Sequence, residues 1–176
     1  MNMGDYSYME KQLKRLQGQV AVVTGSSSGI GKAVAMEMVK EGAKVVINYN
    51  SDKESAHNIL KAINAMKGEG IVVQASVNKE ADVLRLFNET LKAFGTLDIL
   101  VNNAGIQKDA NLVDMNLADW QAVIDVNLTG QFLCAREAAK LFIKNGIKKN
   151  AKAAGKMIFM SSVHDIIPWA GHCNYA

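Results

Sequence analysis

The chain has very little cysteine. Cys134 and Cys173 are the only two in 176 residues, and they are too few and too far apart for a disulfide framework or a zinc knuckle. The three histidines show no ligand-like spacing with either cysteine, so no metal site is predicted. A chain without a disulfide framework is typical of a reducing compartment, and the expected location is cytoplasmic.

The sequence also lacks an excess of charge of one sign. Twenty Lys and Arg against seventeen Asp and Glu give a net charge of +3, and the basic residues form no run. This balance argues against nucleic acid or an anionic membrane surface as the partner. Residues 1–18 contain no continuous apolar block, so they resemble neither a signal peptide nor a membrane span and are predicted to be a short surface extension.

What the chain does have is enough apolar residues for a core, at 49% hydrophobic and 21% charged. Apolar runs predict strands at Val20–Val23, Lys44–Tyr49, Ile71–Val73, Leu97–Val101 and Lys156–Ser161. Helical periodicity predicts helices from Ile30 to Gly42, from Ser51 (paired with Glu54 as a capping box) to Gly68 and Gly70, from about Val83 to Gly95, and from Asn116 to about Asn145. This alternation predicts an α/β fold, a doubly wound parallel sheet with helices on both faces. No repeat or low-complexity linker interrupts it, and residues 19–176 are predicted to be one domain.

A glycine turn, Thr24–Gly31, joins the first strand to the first helix. Its spacing, Gly-x-x-x-Gly-x-Gly, differs from the commoner dinucleotide fingerprint Gly-x-Gly-x-x-Gly. An ordinary tight strand-to-helix connection is the alternative interpretation. Because the turn lies inside a strand-helix-strand unit, it predicts a helix N-terminus that binds the phosphates of a nucleotide.

The end of the second strand bears on which dinucleotide would bind. Asn48, Tyr49 and Asn50 stand where an acidic residue commonly accepts hydrogen bonds from the adenosine ribose. The first carboxylate is Asp52, which is predicted to lie in the following helix. No arginine is present to clamp a 2′-phosphate, so either NAD or NADP is predicted.

Polar residues also follow the fourth and fifth strands. Asn102–Gly105 is either a plain polar turn or a wall of the ligand cleft, and ligands in open parallel sheets bind beyond the carboxyl ends of the strands. Ser161 and Ser162 end the fifth strand, and Tyr175 follows. Two such hydroxyls at one cleft edge can polarise a carbonyl oxygen and exchange a proton with it. A free tyrosine titrates near pH ~10, so it needs a nearby cation, such as a lysine, to act at neutral pH.

From Gln19 onward the sequence resembles the short-chain dehydrogenase/reductase family. The resemblance rests on the glycine turn, Asn102–Gly105, the Asn127 of Val126–Gly130, Ser162 and Tyr175, in the family's order and spacing. It implies a Rossmann-type sheet, with Tyr175 as general acid/base, Ser162 binding the substrate oxygen, Asn127 holding a water of the proton relay and His164 contacting substrate. An exposed loop histidine without a role is the alternative for His164. The implied cofactor-binding residues are Gly25, Ser28, Gly29, Ile30, Gly31, Asn48, Tyr49, Asn50, Ser76, Val77, Asn103, Ala104 and Gly105.

Two departures from the family pattern affect these expectations. Ser76 and Val77 stand where the family usually has an aspartate beside the adenine. The family lysine four residues after the tyrosine has no counterpart, because the chain ends at Ala176. The C-terminal part of the fold is thus absent, and we expect a fragment, or the ordered part, of a longer enzyme. As 176 residues it is expected to be inactive.

The substrate class stays open between several alternatives. The segment from Ser161 to Ala176 is most similar to the bacterial glucose 1-dehydrogenase branch, which implies a sugar. A 3-oxoacyl thioester or another small ketone is the second candidate, and a non-catalytic dinucleotide-binding subunit is the third. The resemblance also implies a homotetramer for the full-length protein, with the helix from Asn116 to Asn145 at the interface, although a plain core helix fits the same pattern.

Overall fold

A computed structural model describes residues 14–149 and 151–176. Strands and helices alternate along the described chain, as the sequence predicts. The strands are β1 (Val20–Val23), β2 (Lys44–Tyr49), β3 (Gly70–Gln74), β4 (Ile99–Asn102) and β5 (Lys156–Phe159). The α-helices are α1 (Gly29–Lys40), α2 (Lys53–Ala65), α3 (Glu80–Phe94), α4 (Leu117–Ile124) and α5 (Gly130–Asn145).

The five strands form one parallel sheet in the order β3-β2-β1-β4-β5. β1 is central and pairs with both β2 and β4, with Val22 opposite Val46 on one side and Leu100 on the other. The chain builds the sheet outward from β1 in one direction and then, from β4, in the other. The carboxyl ends of β1 and β4 therefore flank the switch point at which such sheets hold ligands.

Both faces of the sheet are covered. Ala21 and Val23 of β1 belong to a core shared with α1 and α2, whereas Val22 belongs to a second core shared with α3 and α5. All four residues of β1 are buried, as expected for a central strand of a doubly wound sheet. The predicted fold class is confirmed. Within the described residues, no helix has both the length and the apolar character needed to cross a bilayer.

The boundaries of α2 differ from the prediction. Its cap is Asp52, whose side chain accepts a hydrogen bond from the backbone N–H of Ser55 at 3.0 Å, so the predicted pairing of Ser51 with Glu54 is wrong by one residue. Asp52 therefore precedes α2 and does not lie within it. Gly70 does not close the helix but begins β3, where an added Cβ would lie 2.9 Å from the carbonyl oxygen of Val45.

The long helix predicted from Asn116 to Asn145 is interrupted. A π-helical turn at Asp125–Thr129 separates α4 from α5. It ends at Gly130, where an added Cβ would lie 2.8 Å from Cγ2 of Val77. Asn127 lies in this turn, and π-bulges of this kind occur often at functional sites.

β4 and β5 are shorter than predicted. β4 begins at Ile99 instead of Leu97, and β5 ends at Phe159 instead of Ser161. The side chain of Asp98 accepts a hydrogen bond from the backbone N–H of Val20. The residue just before β4 is therefore joined to β1 through a carboxylate. Past Phe159 the backbone N–H of Met160 still donates to the Asn102 carbonyl at 2.9 Å, and the chain then enters the loop that carries Ser161.

Residues 14–18 lie against the end of α1. Arg15 pairs with Glu41, and the backbone N–H groups of Leu16 and Gly18 donate to the carbonyls of Glu41 and Gly42. Hydrogen bonds from Arg15 hold the pKa of the Glu41 carboxyl below its usual range. This part of the predicted extension is docked on the domain, and residues 1–13 lie outside the described residues.

Candidate functional site

Two adjoining cavities lie at the carboxyl edge of the sheet. The larger, about 480 Å³, is bounded by the glycine turn, the end of β2, the loop after β3 and the loop after β4. The smaller, about 280 Å³, is bounded by the π-helical turn, the segment after β5 and Tyr175. Ile30 and the stretch Asn103–Gly105 line both, so the two form one cleft across the switch point.

The three glycines of the turn serve different purposes. Gly25 adopts φ +60° and lies so close to the loop after β4 that an added Cβ would be 2.9 Å from Cα of Ala104. Gly29 also has positive φ, at +54°, but open space faces it, and it lines the larger cavity. Gly31 does not line the cleft. Its missing side chain lets α1 pack on the turn, because a Cβ there would lie 2.5 Å from Nδ2 of Asn103.

The N-terminus of α1 faces the larger cavity without a side-chain cap. Ser28 is its N-cap residue, yet the Ser28 hydroxyl accepts no hydrogen bond from the first turn, and that turn contains no acidic residue. By contrast, Asp52 caps α2 and Asn116 caps α4. The first N–H groups of α1 therefore have no side-chain acceptor, and such groups together with the helix dipole favour an anion.

Hydrogen bonds between polar side chains and backbone groups hold the cleft walls in place. Thr24 Oγ1 accepts from the backbone N–H groups of Asn103 and Ala104 at 2.9 and 3.0 Å. The Asn103 amide in turn donates to the carbonyls of Thr24 and Gly25. On the other side, Asn48 Oδ1 accepts from the Gly25 N–H at 3.0 Å. Asn48 and Asn103 are both predicted to bind cofactor. Their side chains instead bond to the backbone of the glycine turn and so shape the cleft.

The other predicted residues at this end of the cleft divide into two groups. Asn50, Ser76 and Val77 line the larger cavity. Tyr49 does not, because its side chain lies in the core shared with α1 and α2. Alternating side chains of a strand point to opposite faces, so Asn48 and Tyr49 cannot both face the cleft. Sequence reasoning missed Asp52, which lines the cavity directly after β2.

Asp82 supports the floor of the larger cavity. Its Oδ2 accepts the backbone N–H of Ser76 at 2.9 Å, and its Oδ1 pairs with Arg85 at 2.8 Å. The hydrogen bond from Ser76, followed by the interaction with Arg85, holds the pKa of the Asp82 carboxyl below its usual range. The ionised carboxylate therefore stabilises the loop that carries Ser76 and Val77.

Replacing Asp82 by asparagine is expected to lower the free energy of unfolding by about 1 kcal/mol at neutral pH, because a charge-assisted hydrogen bond becomes a neutral one. The folded-state pKa is depressed, so this contribution is complete above the unfolded pKa of about 4 and is lost as the pH falls through the folded-state value. Urea unfolding of both proteins between pH 7 and pH 3 measures it. A stability difference that does not shrink in acid would contradict the assignment.

The residues predicted for catalysis meet in the smaller cavity. Ser162, Tyr175 and Asn127 all line it, although they are distant in sequence. Ser162 Oγ accepts a long hydrogen bond, 3.4 Å, from the backbone N–H of His164, which leaves its own hydrogen free to donate. Ser161, expected at this strand end, lines the same cavity, as do three residues that sequence reasoning missed: Gln131, Met160 and Asp165. Of these, Asp165 accepts from the Ser161 hydroxyl at 2.7 Å.

Asn127 is fixed by the loop after β4. Its Oδ1 accepts from the backbone N–H of Ile106 at 2.8 Å, and its Nδ2 donates to the Ile106 carbonyl at 2.9 Å. One amide hydrogen and one lone pair remain for a further partner. Asn127 lies in the π-helical turn, next to Ile106. No local pattern in the sequence predicts this turn.

His164 does not line either cavity of the cleft. It belongs to an aromatic cluster, made of His164, Trp169, His172 and Tyr175. The His164 ring lies edge-on to Tyr175 with centroids 6.3 Å apart, and Trp169 stacks on His172 at 5.0 Å. His164 thus packs against the Tyr175 ring outside the cavity. The predicted contact between His164 and substrate is not seen in the cavity lining.

Asn174 ties the segment that carries Tyr175 to the rest of the fold. It is buried, and its Nδ2 donates to the carbonyls of Lys108 at 2.9 Å and Asp119 at 3.4 Å. Its Oδ1, buried as well, has no hydrogen-bond partner among the described residues. The position of Tyr175 therefore depends on a buried amide one residue before it.

Of the two cysteines, Cys134 is buried and Cys173 is exposed. Burial raises the pKa of the Cys134 thiol to about 12, so the thiol stays protonated at neutral pH. No group of three or more His, Cys, Asp or Glu side chains in the described chain could hold a metal ion.

Fold and cleft together define an open parallel α/β protein with a cleft at the topological switch point, against a helix N-terminus. Residues 19–176 match the sequence profile described as short chain dehydrogenase. The chain belongs to the short-chain dehydrogenase family, which confirms the resemblance seen in its motifs.

Two curated relatives are equally similar. The chain is 44% identical over 161 residues to 3-oxoacyl-[acyl-carrier-protein] reductase of Synechocystis sp., covering 92% of this chain and 62% of the relative. It is also 44% identical over 164 residues to glucose 1-dehydrogenase 2 of Bacillus subtilis, covering 93% and 61%. The chain therefore spans about three-fifths of the length of these relatives.

Solved structures agree with the fold. A short chain dehydrogenase from Mycobacterium avium superposes with a TM-score of 0.83 at 32% identity, over 92% of this chain and 58% of that one. A short chain dehydrogenase from Burkholderia cenocepacia, solved in complex with NADP, gives 0.82 at 34% identity, over 92% and 63%.

Proposed function

We propose that the protein to which this chain belongs is an NAD(P)-dependent oxidoreductase that interconverts a hydroxyl and a carbonyl group on a small molecule. The observation that carries the proposal is the uncapped N-terminus of α1, which faces a cavity of about 480 Å³. That cavity continues into the one lined by Ser162 and Tyr175. Anion binding and hydroxyl chemistry thus meet in one cleft.

The residues present fit a dinucleotide. Backbone N–H groups of Ser28, Gly29 and Ile30 would bind the pyrophosphate, as expected at a helix N-terminus on a glycine turn. Gly25 and Gly31 would shape the turn, as would Asn48 and Asn103. Asn50, Ser76 and Val77 would border the adenosine, and Ala104 and Gly105 would border the passage to the catalytic end. Tyr49 lies in the core, and we assign it no contact.

The catalytic end supplies proton transfer and orientation. Tyr175 would exchange a proton with the substrate oxygen, and Ser162 would donate a hydrogen bond to it from its free hydroxyl hydrogen. Asn127 would hold a water with its remaining amide hydrogen and lone pair. The bound nicotinamide would supply hydride transfer, which no side chain of the chain can provide.

A sugar is the substrate class that we favour. The smaller cavity presents Asn127, Gln131, Ser161, Ser162 and Asp165, a set of donors and acceptors suited to several hydroxyl groups. A 3-oxoacyl thioester is the second candidate, because the reductase from Synechocystis is as similar as the glucose dehydrogenase from Bacillus subtilis. Glucose-dependent NAD(P) reduction, compared with acetoacetyl-thioester-dependent NAD(P)H oxidation by the whole protein, would decide between them.

The 176-residue chain itself is expected to bind dinucleotide without turnover. Among the described residues, those that line the catalytic cavity include no lysine or arginine to stabilise a tyrosinate. Isothermal titration with NAD⁺ and NADP⁺, followed by an absorbance assay with glucose, tests both parts. Measurable turnover would contradict the expected inactivity, and absence of binding would overturn the proposed function. If the whole protein also binds without turnover, the non-catalytic alternative replaces the enzyme.

We also propose a cytoplasmic homotetramer for the whole protein. The α4–α5 region exposes Leu128, Phe132 and Ile143, and Arg136 stacks over the Phe132 ring at 5.5 Å. Exposed apolar side chains of this size, one in the π-helical turn and two on α5, favour a protein partner. Sedimentation of the whole protein, compared with a Phe132→Glu variant, would test the assembly, and a monomeric wild type would contradict it.

A further inference from the structure

Residues 106–110, in the loop after β4, contact both sides of the catalytic cavity. The backbone of the first of them bonds to both ends of the Asn127 amide, at 2.8 and 2.9 Å. The backbone N–H of the last donates to the carbonyl oxygen of Gly171 at 3.0 Å, four residues before Tyr175. One short segment therefore joins the π-helical turn that carries Asn127 to the turn that carries Tyr175.

His172 begins the turn that presents Tyr175. Its carbonyl oxygen accepts a hydrogen bond from the backbone N–H of Tyr175 at 2.9 Å. Its side chain is buried, and Nε2 lies 3.4 Å from Oδ1 of Asp109, which belongs to the segment 106–110. Nδ1, on the other side of the ring, lies 3.1 Å from the carbonyl oxygen of Ala170. The His172 ring is therefore held at both of its nitrogens.

The faces of the His172 ring contact aromatic side chains. Trp169 stacks on it with ring centroids 5.0 Å apart, and His164 lies tilted at 5.5 Å. His164 also packs against Tyr175, but its Nδ1 lies 3.2 Å from the carbonyl oxygen of Ile167, within its own turn. His172 thus joins the aromatic cluster to the loop after β4, whereas the polar contact of His164 stays local.

We propose that His172 is a positioning residue for Tyr175 and that it acts through Asp109. The contact between these two side chains sets the turn that carries Tyr175 against the segment that also holds Asn127. The distance from the Tyr175 hydroxyl to a water held by Asn127 depends on this contact. The inference rests on the proposed oxidoreductase function and adds the residue that aligns its proton-transfer groups.

Other contacts between the two segments involve the backbone. Besides the bond to the Gly171 carbonyl, the Asn174 amide donates to the carbonyl oxygen of Lys108 at 2.9 Å. A turn attached at these points alone retains freedom to pivot about them. The contact of His172 with Asp109 lies between side chains, so substitution removes it without altering the backbone bonds.

Amide hydrogen exchange in the 176-residue chain, followed by NMR, measures how firmly the turn is held. The test variant is His172→Phe, which keeps an aromatic ring against Trp169 and removes the polar contacts. The matched control is His164→Phe, which makes the same change in the same cluster without touching Asp109. His172→Gln is the conservative variant, because its amide can again donate to the carboxylate. Asp109→Ala removes the partner instead, from a side chain that is 54% exposed.

The Tyr175 amide is expected to exchange about tenfold faster in His172→Phe and in Asp109→Ala, while the amides of β1 change by less than about twofold. The double variant should exchange no faster than either single one, since both remove the same contact. His164→Phe should stay within about twofold of wild type, and His172→Gln within about threefold. Equal acceleration in His172→Phe and His164→Phe, or β1 amides that accelerate together with that of Tyr175, would overturn the inference.

Turnover by the whole protein separates positioning of Tyr175 from general structural support. In His172→Phe, kcat should fall about tenfold with KM changed by less than about twofold, because a misplaced acid/base affects the chemical step more than substrate binding. His172→Gln should recover most of the loss. An unchanged kcat in His172→Phe would overturn the inference and leave the proposed function in place. A wild type that turns over neither glucose nor an acetoacetyl thioester would instead reject the proposed function, and the inference with it.

Discussion

Gly31→Ala is expected to abolish dinucleotide binding by the 176-residue chain and to lower its free energy of unfolding by about 2–4 kcal/mol. The added Cβ would lie 2.5 Å from Nδ2 of Asn103, 2.6 Å from the carbonyl oxygen of Gly25 and 3.0 Å from Cα of Ser26. Two of these three atoms belong to the backbone of the turn, which cannot move aside cheaply. The turn or α1 must shift, and the shift breaks the hydrogen bonds from Asn103 to the carbonyls of Thr24 and Gly25.

Gly29→Ala is the matched control for this prediction. It adds the same methyl group two residues away, where nothing lies within 4 Å, so its cost is the strain of a positive φ alone, about 1 kcal/mol. Urea unfolding measures stability, and isothermal titration with NAD⁺ measures binding. If Gly31→Ala were no less stable than Gly29→Ala and bound NAD⁺ as wild type does, the packing role of Gly31 would be wrong.

The contrast between these glycines shows where sequence reasoning succeeds. The turn was predictable because its signal is local: an apolar strand, three glycines and a helix follow one another within twelve residues, from Val20 to Gly31. The purpose of each glycine was not predictable. Gly31 was expected at the pyrophosphate, but the close approach of Asn103, distant in the chain, makes it a packing position.

The strand ends illustrate a second limit. The run Val45–Ile47 is apolar on both faces, because helices cover both sides of the sheet. Such a run does not reveal which of Asn48 and Tyr49 faces the cleft. Register against β1 decides it and places Asn48 beside Gly25. The one-residue shift of the α2 cap from Ser51 to Asp52 has a similar origin, since both residues are good caps and local sequence does not separate them.

The catalytic end depends most on tertiary structure. Ser162 and Tyr175 were predictable as hydroxyls near the end of β5, and the structure places both in one cavity with Asn127. The π-helical turn that positions Asn127 depends on contacts with Ile106 and, through Gly130, with Val77. Contacts between segments so far apart leave no periodic trace in the sequence. Asp165 and Gln131 were missed for the same reason.

At the amino ends of the strands, on the side of the sheet away from the cleft, the buried carboxylate of Asp98 joins the starts of three strands. Asp98 Oδ2 accepts the backbone N–H of Val20 at 2.9 Å, and Oδ1 pairs with Lys148. The backbone of Asp98 donates to the Val20 carbonyl and accepts from the N–H of Lys156, both at 2.9 Å. β1, β4 and β5 are thus joined at their amino ends through one residue that is 6% exposed.

Asp98→Ala is therefore expected to lower the free energy of unfolding by about 3 kcal/mol. The substitution leaves the buried N–H of Val20 without a hydrogen-bond acceptor and creates a cavity. Lys148→Met should cost less, about 1 kcal/mol, since the lysine side chain is 44% exposed and Asp98 keeps its bond to Val20. Urea unfolding of the 176-residue chain gives both values. The binding of NAD⁺ by the folded fraction should be unchanged in each variant, because Asp98 lies at the edge of the sheet away from the cleft. Equal costs for the two variants would mean that the ion pair, and not the bond to Val20, holds the strands together.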